Sequence, residues 1–291
     1  MPPVKKAIIP VAGYGTRFLP VTKAMPKEML PVVDTPIIQY LVEEAVASGI
    51  TDVIFVTGRG KRAIEDHFDT SYELEQTLVE RDKQDLLKIV RPLANLARFV
   101  YVRQPMPRGD GDAILRAAHL IAPDEPFAVL FGDDLIDARV PAIRQLMAAF
   151  ARRRSPIVGL ARVRRQDLRR YGTVSGREEQ RRLWRVERLI EKPSRIADIR
   201  PPLAVAGRYI LIPEIFEAIT QAGRALRGRK DLRIADGLAR YLRRAPVYGV
   251  ELRGRWYDCG SKAGYLTANI AYALKRPELR RELAAFLRRR R

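Results

Sequence analysis

The chain has 291 residues, with 54 Lys+Arg against 34 Asp+Glu, a net charge of +20, a pI near 10.5 and 47% apolar residues. That length can hold one large α/β domain with a sizeable core, and the lone Cys259 excludes an intramolecular disulfide and fits a reducing, cytoplasmic compartment. No apolar leader segment precedes the first strand and no apolar run approaches the ~18 residues of a membrane span, so neither secretion nor a membrane partner is expected.

A basic excess of this size suits nucleic acid or an anionic surface. Much of it lies in arginine runs at 152–154, 164–165, 169–170 and 288–291, without an aromatic-interleaved basic segment or a zinc signature. Solvated arginine faces with salt-sensitive polyanion binding are therefore expected, and no specific nucleic-acid partner.

In chain order, Ala7-Ile8-Ile9-Pro10 reads as a buried first strand. It feeds Val11-Ala12-Gly13-Tyr14-Gly15-Thr16-Arg17, which runs on through Lys23 to Lys27-Glu28-Met29-Leu30-Pro31. Two glycines allow a tight turn that brings backbone N–H groups to an anion. Arg17, Lys23 and Lys27 add three cations, so the anion is expected to be polyvalent, as a triphosphate is. A dinucleotide fingerprint fails because Phe18 stands where a third glycine is needed. A Walker loop fails for want of Gly-Lys-Ser/Thr.

Pro36 opens a helix in which Ile37, Ile38, Leu41, Val42, Ala45 and Val46 recur at helical spacing, and Gly49 ends it. With a second strand at 52–57 this makes a right-handed βαβ unit in a parallel sheet covered on both faces, the glycine loop lying at the carboxyl end of the first strand where such sheets bind ligands. Helical stretches at 63–68 and 71–90, a strand at 99–103, a glycine- and proline-rich loop at 104–113, a helix at 113–121 and a strand at 128–131 follow. That strand runs into Gly132-Asp133-Asp134, adjacent acids of the kind that hold a hard divalent cation beside phosphates.

A helix at 140–153 precedes a boundary near residue 155. Beyond it come a strand at 157–163, Tyr171-Gly172-Thr173-Val174, a strand at 186–190, Glu191-Lys192-Pro193, Ala206-Gly207-Arg208-Tyr209, helices at 213–220 and 234–242, and Trp256-Tyr257-Asp258-Cys259-Gly260. Residues 195–202 and 223–231 are expected as mobile loops. The stretch 262–291 is expected as helix interrupted by Pro277, with Leu266, Ile270, Leu274, Leu283 and Phe286 available for subunit packing.

Gly13-Tyr14-Gly15-Thr16-Arg17 followed by Lys27-Glu28-Met29-Leu30-Pro31 resembles the signature of the sugar-nucleotide pyrophosphorylases, a family of nucleotidylyltransferases. Within it the run is most similar to the bacterial UTP–glucose-1-phosphate uridylyltransferases, and the likeness extends over nearly the whole chain. The resemblance implies an α/β fold with a Rossmann-like mixed, mainly parallel central sheet flanked by helices. It divides the chain into a nucleotide-binding half (1–155), a sugar-phosphate-binding half of the same domain (156–261) and a C-terminal helical segment (262–291) that serves as an oligomer contact. It further implies transfer of UMP from UTP to glucose 1-phosphate, giving UDP-glucose and pyrophosphate by Mg²⁺-assisted in-line displacement.

Carried over by position, Ala12, Gly13, Gly15, Thr16 and Gly109 would bind the nucleotide, while Arg17, Lys27 and Lys192 act in catalysis, Lys192 gripping the sugar phosphate. Glu28 and Gln104 would read the base, the carboxylate accepting from uracil N3–H and the amide donating to a ring carbonyl. Gly172, Glu191 and Gly207 would bind the sugar, and Asp133 and Asp258 the Mg²⁺. The nucleophile would be a phosphate oxygen already ionised at neutral pH, its second pKa being about 6, so no general base is needed and His67 and His119 can be structural.

Three places depart from the family pattern. Asp110 and Asp112 replace a leucine and a histidine, Gly132-Asp133-Asp134 replaces Pro-Asp-Val, and Asp231-Leu232-Arg233-Ile234 replaces acidic and amide residues. The second of these, with Gln104-Pro105, resembles the thymidylyltransferases. A dTTP-using or promiscuous enzyme, and a catalytically weak regulatory paralogue, therefore stay open beside the UTP reading. The expected partners are UTP or dTTP, glucose 1-phosphate and further copies of the chain.

Overall fold

The computed structural model describes residues 2–196, 199–226 and 231–289. Its strands are β1 (Lys6–Pro10), β2 (Pro31–Val32), β3 (Thr35–Pro36), β4 (Asp52–Thr57), β5 (Arg98–Arg103), β6 (Phe127–Leu130), β7 (Asp134–Asp137), β8 (Ile157–Arg162), β9 (Gly172–Gln180), β10 (Leu183–Glu191), β11 (Leu203–Leu211), β12 (Tyr248–Glu251) and β13 (Arg255–Asp258). Among the described residues, nine of these form one sheet in the order β5-β4-β1-β6-β11-β8-β12-β10-β9.

The apolar runs explain the layering. In β1, Ala7 and Ile9 face one hydrophobic cluster while Ile8 faces the other, and β4 and β6 divide their residues in the same way. A strand buried on both faces has no polar side to show, which is why these segments read as unbroken apolar runs. Helices Ile37–Ala47 and Ala142–Arg153 cover one face, and helices Asp110–Arg116, Glu214–Leu226 and Ile234–Tyr241 the other.

The sheet is mixed in a particular way. Strands β5, β4, β1 and β6 are mutually parallel. Strand β11 then lies antiparallel to β6 and β8, and β10 antiparallel to β12 and β9. Residues on either side of 155 thus share one sheet, and β7 and β13 pair as a small separate ladder that brings Asp134 opposite Asp258.

Several boundaries differ from expectation. The stretch 71–90 is two helices, Tyr72–Glu80 and Gln84–Val90, separated where Asp82 takes a left-handed φ of 50°. The helix expected at 113–121 begins earlier and is shorter, Asp110–Arg116, followed by one 3₁₀ turn; Asp110 and Asp112 favour the first turn of a helix, where unpaired N–H groups gather. Strand β10 starts at Leu183 and not at 186. Of the two loops expected to be mobile, residues 197–198 and 227–230 lie outside the described residues, whereas 223–226 continue the helix Glu214–Leu226.

Candidate active site

Two cavities open at the carboxyl ends of the parallel strands. The larger, about 430 Å³, is lined by Ala12, Gly13, Gly15, Thr16, Lys27, Glu28, Gln104 and Gly109. The smaller, about 170 Å³, is lined by Gly172, Glu191, Lys192, Gly207 and Asp258. Both include Arg17, Asp110, Phe131 and Asp133, so they meet there. The residues that the resemblance assigns to the site therefore all lie on one of two adjoining cavities, whereas Lys23, expected as a third cation for the anion, is exposed and lines neither.

The glycine loop is laid directly onto Lys27. A Cβ on Gly15, whose φ is +66°, would come to 3.0 Å from Lys27 Cβ and 3.2 Å from Thr22 Cγ2. Thr22 Oγ1 donates to Gly15 O at 2.9 Å and holds the turn. Lys27 Nζ donates to Asp133 Oδ2 at 2.6 Å, and Arg17 Nη2 stands 4.0 Å from the same oxygen. Burial alone would raise the Asp133 carboxyl and lower Lys27, but the pairing outweighs it: Asp133 is held below the usual carboxylate range and Lys27 above its usual value.

The two aspartates that the resemblance assigns to a metal converge. Gly260 leaves the space between them, because a Cβ there would collide with Asp133 Oδ2 and lie 3.1 Å from Asp258 Oδ1. The other oxygen of Asp258, Oδ2, accepts from Tyr171 Oη and Arg170 Nη2, both at 3.2 Å. Beside them, Asp134 Oδ1 accepts from Trp256 Nε1 at 2.6 Å, and burial together with neighbouring Asp133 pushes the Asp134 carboxyl up to about 8. Among the described residues no three His, Cys, Asp or Glu side chains close into a metal cage. Two converging carboxylates suit a hard cation that completes its shell with phosphate oxygens and water.

Glu28 is fully buried in the larger cavity. Lys61 Nζ donates to its Oε2 at 2.8 Å, Lys27 Nζ lies 4.0 Å from Oε1, and Oε1 has no hydrogen-bond partner. Burial raises its pKa against the pull of Lys27 and Lys61. An unsatisfied buried acceptor costs about 1–3 kcal/mol, a cost that a donor entering the cavity would remove.

The Gln104 amide is held in one orientation. Its Nε2 donates to Asp112 Oδ2 at 2.6 Å and to Gly109 O at 3.1 Å, so both amide hydrogens are spent within the protein. Toward the cavity it therefore presents Oε1, an acceptor, where the resemblance implies a donor. The carboxylate of Asp112 is the physical reason.

In the smaller cavity Glu191 is likewise engaged. Arg233 Nη1 lies 2.8 Å from its Oε1, and its Oε2 lies where only a glycine at 172 leaves room, 2.8 Å from the site of an absent Cβ. Gly207 sits in a break of register between β11 and β8, with φ +60°, and a Cβ there would strike the Asp134 carboxylate. Lys192 adopts φ 44°, and its N–H donates to Tyr171 O at 3.1 Å.

Sequence reasoning missed four supports of this site. Lys61 precedes a short helix and gave no motif. Arg208, fully buried, grips Glu44 through three contacts of 2.8 to 3.1 Å and donates to Asp134 O at 2.8 Å, fixing the backbone beside the aspartates. Arg170 and Arg233 were read only as members of arginine-rich or divergent stretches. The first departure and the third meet in space: Asp110 Oδ1 accepts from Ile234 N at 2.6 Å, and Gly111 N donates to Leu232 O at 2.9 Å.

Comparison with known proteins follows the same lines. Residues 6–275 match the family model described as nucleotidyl transferase. A UTP–glucose-1-phosphate uridylyltransferase of Bacillus subtilis is 44% identical over 287 residues, covering 99% of this chain and 97% of that one. A crystal structure of UDP-glucose pyrophosphorylase complexed with UDP-glucose superposes with a TM-score of 0.83 at 39% identity, over 94% of this chain and 100% of the other. A UTP-bound enzyme of this kind from Acinetobacter baumannii gives a TM-score of 0.87 at 33% identity, over 98% of each chain.

Proposed function

The chain belongs to the nucleotidyl transferase family, and from that premise we propose that it transfers UMP from UTP to glucose 1-phosphate, releasing pyrophosphate. The observation that carries this reading is the meeting of two cavities at Arg17 and Asp133. One cavity holds a glycine loop and two acceptors, Glu28 Oε1 and Gln104 Oε1, suited to the donors of a nucleotide; the other holds a lysine, a carboxylate and close-approaching backbone suited to a sugar phosphate.

In this reading Ala12, Gly13, Gly15, Thr16 and Gly109 cradle the nucleotide, and Glu28 and Gln104 face its base. Lys192 orients the phosphate of the sugar, with Gly172, Glu191 and Gly207 about the hexose. One ionised oxygen of that phosphate attacks the α-phosphorus while the bond to the β-phosphate oxygen breaks, and the electron pair leaves with pyrophosphate. Arg17 and Lys27 neutralise the charge that builds in transit, so catalysis is alignment plus electrostatics. Asp133 and Asp258 would hold Mg²⁺, which when bound neutralises phosphate oxygens. The single displacement inverts configuration at phosphorus, and retention would contradict it.

The test is pyrophosphate release for each nucleoside triphosphate against a set of sugar 1-phosphates. UTP with glucose 1-phosphate is expected to give the highest kcat/KM, and a higher value with dTTP would move the assignment to the thymidylyl class. The helix Lys262–Ala273 packs one side on the nucleotide half, Tyr265 Oη donating to Pro31 O at 2.7 Å, and leaves Leu266 and Ile270 exposed. This favours the reading of 262–291 as a contact between copies of the chain, which sedimentation would test.

A further inference from the structure

Gln104 is almost fully buried at the end of β5, its own N–H donating to Thr57 O at 2.8 Å. Turning its amide over would set Oε1 against the Asp112 carboxylate and the Gly109 carbonyl, two lone-pair clashes in a buried place. Only one orientation survives. Asp112 is itself fixed, because its second oxygen accepts from Arg116 Nη2 at 3.2 Å, one helical turn on. A histidine at this position, as the family resemblance implies, can donate as well as accept and would leave the amide free to face either way.

We propose that Asp112 is the positioning residue that sets pyrimidine selectivity in this chain, by holding the Gln104 amide nitrogen so that Oε1 meets N3 of the base. The inference rests on the uridylyl-transfer reading above and deepens it. Uracil carries one ring donor, N3–H, and Gln104 Oε1 takes it; Glu28 Oε1, left for another donor of the nucleotide, does not tell uracil from cytosine. Gln104 decides between them. With Oε1 presented, uracil N3–H is accepted, whereas the N3 lone pair of cytosine faces another lone pair. With the amide released, its NH₂ could donate to cytosine N3, and the discrimination would fall.

The experiment compares wild type, Asp112→Leu, Asp112→Ser and Asp112→Asn for UTP and CTP, by equilibrium binding and by kcat/KM with glucose 1-phosphate. Leucine and serine leave the Gly109 carbonyl to hold the amide nitrogen alone, so that turning the amide over costs one contact and not two; asparagine keeps an acceptor for its nitrogen. The UTP:CTP preference is expected to fall at least about tenfold in Asp112→Leu, a modest share of what a hydrogen-bonding site can supply. Asp112→Ser moves the same way, which covers the case that leucine disturbs folding, and Asp112→Asn recovers most of the preference. An unchanged preference in both the leucine and serine variants overturns the inference and leaves uridylyl transfer standing. So does a wild type that binds CTP as well as UTP. If wild type prefers UTP in binding yet transfers to no sugar 1-phosphate, the reaction fails, while the binding ratios still decide the role of Asp112.

Discussion

The two cavities that meet at Asp133 are built in opposite ways. The larger comes almost wholly from loops that follow the parallel strands β1, β5 and β6, and it keeps groups in reserve: Glu28 Oε1 without a partner and Gln104 Oε1 free to accept. The smaller is assembled from β9, β10, β11 and β13, and two of its carboxylates are already paired. Glu191 pairs with Arg233, and Asp258 with Arg170 and Tyr171. A nucleotide entering the first supplies a missing partner, while a sugar phosphate entering the second meets carboxylates that already have theirs. Substitutions on the two sides should therefore fail differently.

The sharpest break falls where the cavities join. Asp133→Asn removes a charge opposed to Lys27 and one of two converging carboxylates, and turnover is expected to drop by about 10³-fold or more, the scale of losing preorganised electrostatics. Turnover within tenfold of wild type would take Asp133 out of the reaction.

Next in size is Gly109→Ala. Gly109 has φ +103°, and a Cβ there would overlap the Leu232 carbonyl oxygen, so the change strains the backbone and pushes apart the contact that couples the cavities. A loss on the order of 3 kcal/mol in denaturant unfolding is expected. A loss under about 1 kcal/mol would mean that the 108–111 and 231–234 segments separate freely.

Lys192→Ala tests the smaller cavity alone. The KM for glucose 1-phosphate should rise about 10- to 100-fold with the KM for UTP nearly unchanged, because the lysine lines only the smaller cavity. Equal increases for both substrates would show that the cavities do not act separately.

The smallest effect concerns Asp110, which lines both. Burial pushes its carboxyl from 3.8 up to about 6, so the folded state binds the proton more tightly than the unfolded chain does. Stability present below the unfolded pKa is then lost as pH rises through about 6. Asp110→Asn can keep the acceptor for Ile234 N–H without the charge. A gain on the order of 2 kcal/mol is expected at pH 8, vanishing near pH 4; the same gain at both pH values would assign it to packing.

Much of this was legible in the chain itself. The two-faced burial of β1, β4 and β6 follows from Ala7-Ile8-Ile9, Val53-Ile54-Phe55-Val56 and Ala128-Val129-Leu130, since a strand without a polar side has nowhere to lie but between two layers. The glycine loop with Arg17 and Lys27, and the adjacent acids at 133 and 134, stand out by residue type and spacing, whereas Asp258 was singled out by the family resemblance alone.

What tertiary structure alone decided was which charges face each other. Lys61 against Glu28, Arg208 against Glu44, Arg233 against Glu191 and Asp112 against Gln104 are pairs made between segments whose sequences give no sign of one another, except the last, where only the direction of an amide was at stake. Local pattern fixes periodicity and backbone shape. The partner of a buried polar group depends on which loops the sheet order brings within 3 Å, a distance no spacing along the chain encodes.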